Sequence, residues 1–206
     1  MANVPVIIEP ISDDARSGIE SGIPYRVDLR LRGICPILFC RWSNEAVAAK
    51  ASAAKGSATK RSDNVESYVW RCADKTIGIP GEYLRQATLG AAKYRQDPRS
   101  PRKSALDLVK AGLVSATDIA SLGKTTWDYL DQRRVVVQRS AITRSRPAFL
   151  AGWEADFSLI VNLPEYIGPE FLYEMVSSAG RLVGIGDFRP TYGRFIIVKF
   201  TVDSLT

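Results

Sequence analysis

The chain contains no histidine. That absence removes the commonest general base, the commonest metal ligand and every Ser–His or Cys–His arrangement. An enzyme built on this sequence would have to work through carboxylates, lysine, tyrosine or a bound metal. Cysteine is nearly as scarce. Cys35, Cys40 and Cys72 are an odd set with no CxxC pair, so neither a disulfide framework nor a zinc knuckle is indicated, and buried reduced thiols are expected. No apolar run approaches the roughly 20 residues that a membrane span needs. The opening MANVPVIIEPISDDARSG lacks the basic-then-apolar layout of a signal peptide. A cytoplasmic protein away from membranes, with no cofactor, is the expectation.

Charge is present in moderate excess. Twenty-eight Lys and Arg against 22 Asp and Glu leave +6 over 206 residues, which permits an anionic partner without demanding one. Glu9, Asp13, Asp14 and Glu20 face only Arg16 in the first 24 residues, so the remainder is more basic than the mean. The length suits one domain. It reads as an arm over residues 1–24 and a single domain over 25–206, with insertions at about 43–67 and 97–131.

Periodicity supplies the fold class. In YRVDLRLRGICPILFC, residues 25–40, Val27, Leu29 and Leu31 alternate with Arg26, Asp28, Arg30 and Arg32, the pattern of a strand with one open, arginine-bearing face. Gly33 and Pro36 mark a bulge or bend in it. The Ala-, Ser- and Lys-rich stretch 43–67 has no apolar stripe and ends its basic part at Lys60 and Arg61, so it reads as a mobile basic protrusion. Ile79-Pro80-Gly81 opens a helix over about 82–94, with Leu84, Ala87, Thr88 and Ala91 on one side. Short helices with glycine breaks are expected over 104–131. Residues 133–143 read as a strand, and 153–161 alternate cleanly as another. Pro169 starts a helix with Phe171, Leu172, Met175, Val176 and Ala179 as its stripe and Gly180 as its stop. RFIIVKFTV closes the chain as a strand. The order strand, helix, strand, strand, helix, strand is the α+β, ferredoxin-like βαββαβ arrangement, with helices on one face of an antiparallel sheet.

Positive charge recurs on these elements. Arg26, Arg30 and Arg32 share a face of the first strand, Arg85 lies on the first helix, and Arg133, Arg134, Arg139, Arg144 and Arg146 follow with no acid among them. Lys93, Arg95, Arg99, Arg102 and Lys103 form a further run against Asp97. Clusters of this size are the electrostatic footprint of phosphate binding. No duplex-reading helix motif is present, whereas sheet platforms take splayed single-stranded bases. Before the last strand, Gly184, Gly186 and Gly193 alternate with Phe188, Arg189, Tyr192 and Arg194. Glycines there allow close backbone approach, and the arginines add anion-binding clamps.

The segment RLVGIGDFRPTYGRFIIV resembles the carboxyl-terminal glycine-rich element of the RAMP superfamily of CRISPR-associated proteins. IGIPGEYLRQATLGAAK is similar to the I-P-G-x-x-L-R helix entry of its Cas-seven-like backbone subunits, and LRLRGICPIL falls where their first strand lies. The resemblance covers about half the chain. It implies guide RNA bound along the sheet face, and subunits stacked head to tail into a filament or a reduced, solitary member acting alone. On this reading the protein is a non-catalytic single-stranded RNA binder with other subunits or copies as partners. Two alternatives stand beside it: an assembly or inhibitor factor meeting an acidic protein, and a metal-dependent nuclease using Asp63, Glu45 or Asp187.

Overall fold

The computed structural model describes residues 7–20, 22–42, 44, 48, 51–52, 64–137 and 140–205. Its organising strand is β2, Tyr25–Gly33, where Tyr25, Val27, Leu29 and Leu31 are buried and the residues between them face outward. Numbering from the amino end, β1 is Ile7–Ile8 and α1 is Asp13–Glu20. Next come β3, Ile37–Leu38, then β4, Trp70–Arg71, and β5, Ile77–Pro80. The first packed helix, α2, is Gly81–Ala92. A short hairpin, β6 (Gln96–Asp97) and β7 (Ser100–Ser104), precedes α3, Leu106–Gly112. Strands β8 (Leu113–Ser115) and β9 (Ile119–Ser121) lead into the long hairpin β10 (Tyr129–Val137) and β11 (Ser140–Phe149). The chain closes with β12 (Glu154–Val161), α4 (Pro169–Leu182) and β13 (Phe195–Ser204).

The main sheet has the order β1-β13-β2-β12-β8. Every pairing in it is antiparallel except that of β1 with β13. Counting β2, β8, β12 and β13 as first to fourth, the order is fourth, first, third, second, which is the ferredoxin-like arrangement with α2 and α4 as its two helices. The helices cover the inner face: Leu84, Ala87, Thr88 and Ala91 of α2, and Leu172, Met175, Val176 and Ala179 of α4, are all buried. They meet Leu29, Leu31, Phe157, Leu159, Phe195 and Phe200 in one continuous core. Among the described residues no helix is long and apolar enough to cross a membrane.

Four local expectations are corrected. The second strand of the sheet is β8, only three residues long, and it lies inside the segment read as short helices. Residues 133–143, read as that strand, instead form the β10–β11 hairpin, which pairs with β3 in a separate three-stranded sheet. Strand length misled here, because β10 and β11 run to nine and ten residues while the true sheet member has only three. Gly180 does not end α4; it sits within it, where a Cβ would approach the Phe195 carbonyl oxygen to 2.3 Å, and Gly184 at φ +73° follows the last turn. The cysteines are free as expected, yet Cys40 is exposed and only Cys35 and Cys72 are half-buried.

At the start of β2 the buried Tyr25 hydroxyl donates to the Ile167 carbonyl at 2.6 Å, tying the sheet to the loop before α4. Burial pushes this phenol far above its usual range. Its folded pKa therefore exceeds its unfolded value near 10, so the associated stability is intact below about pH 10 and falls as pH rises beyond it. Chemical denaturation followed from pH 8 to pH 11 should show this decline. Tyr25→Phe should cost about 1 kcal/mol at pH 8 through the lost hydrogen bond and flatten the alkaline decline.

Candidate nucleic-acid interface

Alternation places Arg26, Arg30 and Arg32 on the outer, helix-free face of β2. The pairing register sets Arg32 opposite Glu154, Arg30 opposite Asp156 and Asp28 opposite Ser158. Arg30 grips both oxygens of Asp156, at 2.7 and 2.8 Å. Arg32 reaches Glu154 at 2.6 Å, Arg26 reaches Asp28 at 2.9 Å, and Lys199 lies 3.2 Å from Glu9. The Asp156 hydrogen bond raises the Arg30 pKa further. This face is thus a ladder of matched ion pairs, each worth about 0–1 kcal/mol at such exposure, and not a cationic platform. Glu154 and Asp156 were visible as outward residues of their own strand, but their position opposite the arginines depends on a register set more than a hundred residues away.

A second group of arginines, some ion-paired and some not, collects at one end of the sheet, where the glycine-rich loop after α4 sits on β3 and the long hairpin. The loop is held by its backbone: Asp187 N–H donates to the Leu38 carbonyl at 2.9 Å, Gly193 N–H to Pro36 at 2.8 Å, and Ile185 N–H to Gly193 at 2.9 Å. Ile185 is fully buried beneath it. Gly193 has φ +71°, and a Cβ there would fall 1.6 Å from the Ile185 oxygen, so no other residue fits without opening the loop. Phe188 also has positive φ, +54°.

The hairpin register brings Arg133 opposite Arg144 and Asp131 opposite Arg146, all on the same side. Arg133 stacks 4.6 Å from the Tyr192 ring centroid and 5.6 Å from that of Phe188. It also bonds the Tyr192 hydroxyl and the Asp131 carboxylate. Arg146 is buried, pairs through Nε with Asp187, and lies 4.5 Å from the Phe188 centroid. Its Nη1 is buried with no hydrogen-bond partner among the described residues. Arg144 donates to the Tyr68 hydroxyl at 3.2 Å. Two arginines and two aromatics far apart in sequence are therefore interleaved as a cation–π stack.

The remaining expected residues divide clearly. Arg189 and Arg194 are exposed at the loop rim, and Arg134 is exposed on the hairpin. Among the described residues no ion pair or hydrogen bond engages any of these three guanidinium groups. Gly184 and Gly186 shape the loop, with Gly186 against Ile37 and Leu38. Arg85 is turned into the fold, donating to the carbonyls of Leu113 and Lys110 at 2.6 and 3.0 Å and pairing with Glu82 at 2.8 Å, so it pins α2 to the end of α3 and is withdrawn from the surface set. Arg99 and Arg95 are likewise spent on Asp97 and Glu174. Lys60, Arg61 and Arg139, with Glu45 and Asp63, lie outside the described residues. Asp187 is engaged with Arg146.

Some neighbours were not singled out from sequence. Arg41 stacks 4.2 Å over Trp70, and Trp42 is 75% exposed next to it. A concavity of about 620 Å³ opens between the end of α2 and the glycine loop, bordered by Gln86, Lys93, Tyr94, Phe188, Arg189 and Pro190. The adjacent basic and aromatic residues Lys93 and Tyr94 were a usable signal, but nothing local aims them at a loop a hundred residues later.

No protein-family model matches this chain, and no curated protein matches it. Solved structures do. A chain in the cryo-EM structure of the type III-B Cmr-beta bound to cognate target RNA is 11% identical with a TM-score of 0.49, over 94% of this chain and 66% of that chain. The present chain thus spans just under two thirds of its length. The crystal structure of Cmr6 from Pyrococcus furiosus is 9% identical with a TM-score of 0.45, over 84% of this chain and 97% of that chain.

The loop geometry gives a direct expectation. Gly193→Ala should destabilise the protein by more than about 1 kcal/mol in urea unfolding, because Ala at positive φ is strained and its methyl group has no room. Removal of the exposed pair by Arg30→Ala with Asp156→Ala should cost about 1 kcal/mol or less.

Proposed function

We propose that this protein is a non-catalytic binder of single-stranded RNA, gripping the strand at the glycine-rich loop and the adjoining face of the β10–β11 hairpin. One observation carries the reading. Arg133 and Arg146 are stacked on Phe188 and Tyr192, while Arg189 and Arg194 of the same loop stand exposed beside them. Aromatic rings offer stacking surface to any base, and guanidinium groups track the phosphates. The paired face of the main sheet supports placing the strand at this end of the molecule, since its charges are already neutralised internally.

The sequence resemblance to the RAMP superfamily extends the proposal. The strand would be a guide RNA, and the protein a cytoplasmic subunit of a CRISPR-type ribonucleoprotein that repeats along it or meets other subunits. No chemistry at the strand is assigned to any residue, and the protein holds the RNA without cutting it.

Filter binding of single-stranded RNA at several salt concentrations measures the first part. Affinity should fall steeply with salt, and Arg189→Ala with Arg194→Ala should reduce the slope by about 0.7 for each phosphate that the two arginines neutralise. Arg30→Ala with Asp156→Ala should leave the slope unchanged. A salt-independent affinity, or a slope untouched by the loop variant, refutes the site. Incubation of end-labelled RNA with the protein and Mg²⁺ or Mn²⁺ should leave it intact; reproducible cleavage products would show that the protein is an enzyme.

A further inference from the structure

The concavity beside the glycine loop has a chemistry of its own. Its volume of about 620 Å³ lies within the roughly 300–1,000 Å³ typical of small-molecule sites. One wall is the end of α2, where Tyr94 is 77% exposed. The other wall is the loop, where Phe188 is partly exposed and lies 4.5 Å from the Arg146 guanidinium. Leu182 and Val183 at the end of α4 form an apolar floor. Lys93 and Arg189 stand at the rim, both exposed and with no ion pair among the described residues.

The charge balance favours an anion. The acid of this lining, Asp187, is matched by Arg146. Lys93 offsets the partial negative charge, about half a unit, at the carboxyl end of α2, and Arg189 leaves the rim cationic. A concavity lined by two aromatic side chains together with unpaired cations suits a flat heterocycle carrying a phosphate. A purely apolar ligand would leave the two cations unused, and a bare phosphate would leave the two rings exposed. Gln86 adds selectivity: its amide nitrogen donates to Glu82 at 2.6 Å, which leaves its carbonyl oxygen to accept from a base edge.

We propose that this concavity takes one nucleoside phosphate, with its base between Tyr94 and Phe188 and its phosphate on Lys93 and Arg189. Resting on the strand-binding reading, the inference makes the pocket a side slot for one nucleotide turned out of the bound RNA. Phe188 then serves two surfaces, stacking on Arg146 from the hairpin side and lining the slot on the other. A nucleotide leaving the strand at the loop would enter the slot without crossing the paired sheet face.

The full chain is used for the test, with Tyr94→Ala as the main variant and Lys93→Ala as a second; both side chains are exposed, so the fold should persist. Affinities are measured for single-stranded oligoadenylate and for a strand of the same length lacking bases. AMP is titrated separately while the backbone amides of Gly90 and Gly186 are followed by NMR. The expected result is a loss of oligoadenylate affinity of about 5- to 100-fold in Tyr94→Ala, no change for the abasic strand, and saturable AMP shifts in the wild type that vanish in either variant. AMP shifts with unaltered strand affinity would uphold the slot and identify a free mononucleotide as its occupant. Wild-type affinity of Tyr94→Ala for both strands, with both amides unmoved by AMP, overturns the slot while salt-dependent RNA binding persists. Loss of salt-dependent binding in the wild type itself instead overturns the strand-binding reading.

Discussion

The alternation of β2 is the constraint on which the rest of the molecule depends. Tyr25, Val27, Leu29 and Leu31 bury one side of the strand completely, and a slip of β2 by one residue against its neighbours would expose that set and bury arginines in its place. The same register fixes what the outer face can do. With Arg30 and Arg32 held opposite Asp156 and Glu154, the face satisfies its own charges, because bringing cationic and anionic residues opposite one another costs less than leaving like charges adjacent. The outer face of the main sheet is for that reason electrostatically quiet.

The working end of the protein is built differently, from loops and from a second sheet. The glycine loop contributes backbone hydrogen bonds to Pro36 and Leu38 and projects Phe188, Arg189 and Tyr192. The hairpin contributes Arg133 and Arg146 beneath them. Stacking an arginine on an aromatic ring holds the guanidinium in place without neutralising it, whereas an ion pair cancels the charge. Both act on the hairpin, where Arg133 and Arg146 pair with Asp131 and Asp187 and also stack on Tyr192 and Phe188, so the uncancelled charge is that of the exposed Arg189 and Arg194 beside them. This arrangement also accounts for the location proposed for RNA, since a strand needs ordered cations and accessible rings together. The slot beside α2 continues the same composition around the other side of Phe188.

Much of the architecture was legible in the residues themselves. The alternation of β2 and β12, the stripe of α2 and the stripe of α4 are local patterns, and each element lies where its period placed it. Four glycines and three arginines over residues 177–194 pointed to the loop for a reason the structure bears out geometrically: Gly184, Gly186 and Gly193 all have positive φ. The arginines were harder to read. Arg85, Arg30 and Arg133 look alike in sequence and each meets a carboxylate, yet Arg85 also binds two carbonyls inside the fold and Arg133 also stacks on aromatic rings, while Arg30 is only ion-paired on the open face.

Local sequence by itself determined the element types, the buried faces and the site of the tight loop, because side-chain periodicity and glycine stereochemistry act over a few residues. Tertiary structure alone decided which three-residue strand completed the sheet, which arginines were neutralised, and that Tyr94 and Phe188 would line one concavity. Those outcomes depend on partners up to more than a hundred positions apart. Pairing register and helix docking, acting on the whole core at once, bring such residues together.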